Sequence, residues 1–166
     1  ILKSVKSRGY DYKYKYKYKE VLYSMENNYV TTNVREFILG GKSEFTIFNV
    51  VNGIGYKYHI KSNKEYSMWF ISVKLAGSFR YAGFIKKDAN GRLVYCRGKK
   101  GSMDGNNTAI KGLLWTIDRS DRIPFDKVKI IHHGRCAVCG KPLTDELSIE
   151  RGIGPICYKR VTAIGI

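Results

Sequence analysis

Apolar and polar residues alternate in short runs through the middle of the chain. The runs are EFTIFNVV (44–51), IGYKYHIK (54–61), SMWFISVKL (67–75), FRYAGFIKK (79–87) and RLVYCRG (92–98). A period of two places every second side chain on one face of a strand. Turn residues separate the runs: Asn52-Gly53, a polar SNKEY loop, Gly77-Ser78, and Asp88-Ala89-Asn90-Gly91. Asn-Gly between alternating segments is a strong hairpin pattern, because both residues tolerate the positive φ of a type I′ turn. The pattern predicts an antiparallel meander of about five strands.

The period then changes. After a basic loop, GKKGSMDG (98–105), comes TAIKGLLWTIDRS. Its Ile110, Leu113, Leu114 and Ile117 fall at i, i+3, i+4 and i+7, one stripe of a helix, and Asn106 or Asn107 is placed to cap it. A shorter helix, VREFIL, is predicted after Asn33 and ends at Gly40-Gly41. Pro124 closes the linker that follows the long helix. The fold class expected is α+β, a sheet with a helix packed on one face. Three regions are expected: an N-terminal arm or strand (1–32), a β-rich core with one short and one long helix (33–123), and a C-terminal module (124–166).

Residues 10–19 read YDYKYKYKYK, with Tyr on one face of an extended chain and Lys on the other. The Tyr face packs on the body of the protein, or its rings stack on bases while Lys neutralises phosphates. As a third reading, the segment is a low-complexity arm that orders on binding.

Charge sharpens the functional question. The 166 residues carry 30 Lys+Arg against 14 Asp+Glu, a net charge of +16. Residues 41–100 hold 12 basic and 3 acidic groups, so the excess concentrates on the predicted sheet. Such a field attracts polyanions. The 43% hydrophobic content argues against a wholly disordered chain. No run approaches the roughly 18 apolar residues of a membrane span. The first segment has no apolar core of a signal peptide, which points to the cytoplasm of a bacterial or phage-infected cell.

The C-terminal segment, HHGRCAVCGKPLTDELSIERGIGPICYKR, carries the most specific chemistry. Cys136 and Cys139 form C-x2-C, and Cys157 follows after 17 residues. Two thiolates on one turn can hold one ion, and tetrahedral Zn2+ asks for four such donors. Gly154-Pro155 opens a short helix that places Cys157 in its first turn. His132 and His133, four and three residues ahead of Cys136, are candidates for the fourth ligand, with Cys96 on a predicted strand as a lesser alternative. A redox motif lacks its βαβ setting, and a disulfide is unexpected inside a cell. Three Cys and one His would close the site and make the Zn2+ structural.

The run G-R-C-x-x-C-G-x-x-L-T-D…S-I-x-x-G-I-G-P-x-C resembles a small zinc-binding domain of unknown function, common in phage and actinobacterial proteins. It is carried by Gly134-Arg135-Cys136, Cys139-Gly140, Leu143-Thr144-Asp145, Ser148-Ile149 and Gly152 to Cys157. In that family a His commonly stands four positions before the first Cys, which implies His132. A weaker likeness runs upstream through Phe37, Gly41, Phe45-Thr46 and Trp115. The chain departs at Glu146-Leu147, where the family often has Pro-Glu. The resemblance implies a phage-type zinc knuckle and no particular activity.

No G-x-S-x-G, P-loop or H-x-E with paired Cys is present, so hydrolase, NTPase and deaminase readings lack their key residues. Asp118, Asp121 and Asp126 alternate with Arg119, Arg122 and Lys127, as in a solvated charge pattern. The expected function is therefore non-catalytic nucleic-acid binding. Lys86, Lys87, Arg92, Arg97, Lys99 and Lys100 are expected at phosphates. Tyr56, Tyr58 or Tyr81 would stack on bases, and Arg151, Lys159 and Arg160 would add contacts from the knuckle. Two other readings are a phage-encoded inhibitor of a host protein or nucleoprotein defence complex, and a structural subunit of a ribonucleoprotein or virion.

Overall fold

The computed structural model describes residues 28–166, so the Tyr/Lys segment lies outside the described residues. The strands are β1 (Tyr29–Thr31), β2 (Lys42–Asn49), β3 (Ile54–Ser62), β4 (Met68–Leu75), β5 (Ser78–Lys87), β6 (Leu93–Cys96) and β7 (Val128–His132). The helices are α1 (Val34–Ile38), α2 (Thr108–Asp118), α3 (Glu146–Arg151) and α4 (Pro155–Ile164). Among the described residues, all strands join one antiparallel sheet in the order β1-β7-β2-β3-β4-β5-β6.

The predicted five-strand meander is β2–β6. The sheet has seven strands rather than five, because β7 returns from beyond α2 to pair with β2 and recruits β1 on its other side. Lys129, Ile130, Ile131 and His132 are all buried. A strand buried on both faces shows no alternation, so periodicity did not expose it.

The hairpin joining β2 and β3 is built by side chains acting on backbone. Asn49 Oδ1 accepts from Val51 N and Asn52 N, and Asn52 Oδ1 accepts from Ile54 N. Short Asn side chains make such turns without help from the rest of the fold. That turn fixes the register Phe45↔Tyr58 and Ile47↔Tyr56.

Register then decides which residues meet the helices. Phe45, Tyr58, Ile60, Trp69, Ile71, Val73 and Ile85 share one face and are buried. They join Val34, Phe37 and Ile38 of α1 and Ile110, Leu113 and Ile117 of α2 in one core. Asn107 caps α2 by accepting from Ala109 N. Each large apolar side chain buried here contributes about 1.5–3 kcal/mol. Two hydrogen bonds pin the layers together. Tyr58 Oη donates to Ala109 O at 2.7 Å, and Trp69 Nε1 donates to Leu39 O at 3.0 Å.

The C-terminal segment packs into that same core through Cys136, Ala137, Val138, Ile153 and Val161. Backbone hydrogen bonds from Lys42 N to Ala137 O and from Ala137 N to Gly152 O tie it to the start of β2 and the end of α3. Gly152 closes α3 at φ +70°, where a Cβ would lie 2.4 Å from Phe37 Cδ2. Only glycine permits this approach of the knuckle to α1.

Candidate metal centre and open sheet face

The turn from Cys136 to Gly140 is closed by Gly140 N donating to Cys136 O, and Cys136 N donates to Lys141 O. Arg135 pairs with Pro142 as an isolated bridge. These bonds set Cys136 and Cys139 on one side of a tight loop. Gly154 precedes Pro155 at the start of α4, and Cys157 falls in that helix's first turn. The Sγ atoms of Cys136, Cys139 and Cys157 all lie within 4.8 Å of one another. A tetrahedral ion with metal–sulfur bonds of about 2.3 Å holds its sulfurs about 3.8 Å apart. The three thiols fit such an ion.

Electrostatics supports a cation at this point. Burial raises the Cys136 thiol, but backbone N–H groups of Gly154, Cys139 and Val138 outweigh it and draw the pKa below its usual value. Gly154 N lies 3.4 Å from Cys136 Sγ. Cys157 is pushed up to about 12 by burial and by the neighbouring Cys136 and Cys139. Three thiolates this close repel one another, and a bound cation removes that penalty.

The structure does not bring His132 to this cluster. It lies on β7, buried to 1% exposure, with both ring nitrogens engaged. Gly134 N donates to Nδ1 at 3.1 Å, so Nε2 carries the proton and donates to Ile149 O at 2.9 Å. That tautomer leaves no lone pair for a metal. His133 points elsewhere. Burial holds its pKa below the usual value, and Lys57, Glu44 and Lys74 act on it from β2, β3 and β4. Cys96 sits on β6, five strands from β7 in the sheet order and outside the thiol cluster.

Residues 132–162 match the model of a family of unknown function, DUF6011. The match coincides with the thiol cluster and the helices that position it. No curated protein and no solved structure matches the chain.

A second feature lies on the sheet. Among the described residues, no element covers the face opposite the helices over β3–β6, whereas toward β7 Phe48, Lys129 and Ile131 are buried. Across the open part, register aligns Lys42, Lys61, Phe70, Phe84 and Cys96 in one row and Glu44, His59, Ser72 and Tyr81 in the next. Lys74 lies opposite Phe79, and Lys86 opposite Met68 and Val94. Phe70 and Phe79 are each 39% exposed, large values for Phe in a sheet interior. Phe70 pairs with Phe84 at 6.3 Å between centroids, and His59 with Phe79 at 6.0 Å. Burial keeps the His59 imidazole below its usual pKa, with Glu44 opposing and Lys61 reinforcing. Glu44, the acid within these rows, is paired with Lys57 at 3.1 Å.

The sequence-predicted contacts divide around this face. Tyr81 and Lys86 lie on it. Tyr58 does not: it is 1% exposed and packs against Phe45, so it cannot stack on a base. Tyr56 shares the covered side and lines an apolar cleft with Ile47, Trp115 and Val128. Lys87 turns away, with its Nζ 5.9 Å from the Trp69 ring. Arg92 lies near Arg35 and Asp118, beside α2. Arg97 donates to Gly101 O, and Lys99 and Lys100 are exposed on the loop after β6. Arg151 stacks on Tyr158 at 4.1 Å, while Lys159 and Arg160 are exposed on α4. Sequence reasoning missed Phe70, Phe79, Phe84, Lys61 and Lys74. Their alternation was visible, but not which face the helices would cover.

Proposed function

We propose that this chain is a zinc-stabilised protein that binds single-stranded nucleic acid on its open sheet face, without catalysis. The observation that supports this most is the pairing of exposed Phe70 and Phe79, and half-buried Phe84, with Lys61, Lys74 and Lys86 on a surface that none of the described helices covers. Aromatic rings offer stacking platforms to unpaired bases, and flanking cations follow the phosphates. A sheet face with rings across its middle suits splayed bases better than a duplex groove. The net charge of +16 adds long-range attraction. Zn2+ is the favoured ion because three thiolates within reach of one point form a soft donor set. It would hold the turn at Cys136–Gly140 against the start of α4.

Fluorescence anisotropy with labelled single-stranded DNA, single-stranded RNA and duplex DNA over a salt series tests the reading. The expected result is preference for single strands with a steep negative salt dependence. Absence of binding at low salt, or preference for duplex, would overturn it.

A further inference from the structure

We infer that the chain supplies only three ligands to its metal ion, and that the fourth is a small anionic donor, a thiolate foremost, taken from solution. The inference rests on the reading of the thiol cluster as a metal site. It follows from where the remaining soft and nitrogen donors lie. Residues 1–27 contain neither Cys nor His. Among the described residues, no fourth His, Cys, Asp or Glu joins the three thiols. His132 is held by Gly134 N and Ile149 O. His59 faces Phe79 on the open sheet face.

The thiols themselves face a cleft. A space of ≈ 360 Å³ is lined by Cys136, Cys139 and Cys157 together with Lys141, Asp145 and Arg160. Lys141 and Arg160 are exposed cations at its wall and favour an anion entering it. Asp145, the acid present, is committed as the cap of α3 by accepting from Ser148 N at 3.0 Å. Thiolate-rich sites with three protein ligands keep an exchangeable position, whereas closed four-ligand sites do not. The separation of His132 from the cluster thus changes the chemistry expected of the centre.

Cobalt substitution reads this directly, because the visible d–d bands of Co2+ respond to each donor. The protein is reduced with a phosphine, loaded with one equivalent of Co2+, and titrated with β-mercaptoethanol. The expected result is a saturable change in the visible bands, with the protein folded and the cobalt retained. His132→Gln should give the same starting spectrum and the same titration. Asp145→Asn should leave the starting spectrum unchanged, since its carboxylate is not a ligand. A spectrum insensitive to β-mercaptoethanol, or one altered by either substitution before thiol is added, would overturn the inference and leave the metal reading standing. Failure to bind Co2+ would overturn both.

Discussion

His132 provides a test in which the structure and the sequence motif diverge. Its ring is buried, and desolvation lowers its pKa from 6.5 to about 4; the hydrogen bond to Ile149 O opposes the shift and His133 adds to it. The folded protein therefore holds His132 neutral at a pH where the unfolded chain protonates it. Stability from this group is complete above pH 6.5 and is lost as pH falls toward 4. A depression of this size corresponds to about 3 kcal/mol in full, and about 2 kcal/mol by pH 5. In His132→Gln the amide can donate to Ile149 O and accept from Gly134 N, but it does not titrate. Zinc-loaded wild type and variant should be melted at pH 7.5 and pH 5.0. Acid should lower the wild-type Tm by about 6 °C more than that of the variant. Thiolate protonation affects both proteins alike and cancels in the comparison. Equal acid losses would refute the argument. A fall in zinc content of His132→Gln at pH 7.5 would show instead that His132 ligates the ion.

Three further outcomes are expected. Cys136→Ser and Cys157→Ser should each lose bound zinc, measured by mass spectrometry, and melt at lower temperature, because metal binding and local folding are coupled. Cys96→Ser should keep the wild-type metal content, since it lies outside the cluster. Gly152→Ala should destabilise by about 2–4 kcal/mol in urea denaturation, combining a left-handed backbone with overlap on the Phe37 ring.

The meander β2–β6 and helix α2 were legible because their information is local. Asn49 and Asn52 build the first hairpin by themselves, and Ile110, Leu113 and Ile117 form the buried stripe of α2. Strands β1 and β7 were not legible. One is three residues long, and the other is buried on both sides and finds its partner far along the chain. Helix α3 was missed although Asp145 caps it, because only six residues separate the cap from Gly152. At the site, C-x2-C and the Gly-Pro start of α4 located the three thiols from spacing alone. That His132 stands apart from the three thiols was not legible from spacing, since tertiary packing decided that it would spend both nitrogens on backbone. The aromatic contacts failed for a related reason. Alternation separates two faces but does not say which one helices cover, so Tyr58 was expected outside and Phe70 was overlooked.

The claim that the open face of β3–β6 binds nucleic acid is tested most directly by moving equal charge on two surfaces. Lys61→Glu/Lys74→Glu alters that face, and Lys159→Glu/Arg160→Glu alters α4 by the same net charge. Affinity for a labelled single-stranded oligonucleotide is measured for both, alongside Phe70→Ala. The account predicts that Phe70→Ala loses about 1–3 kcal/mol of binding, as expected for a lost stacking platform. It predicts that Lys61→Glu/Lys74→Glu weakens binding well beyond Lys159→Glu/Arg160→Glu. Equal losses from the two charge pairs, with Phe70→Ala unchanged, would contradict it.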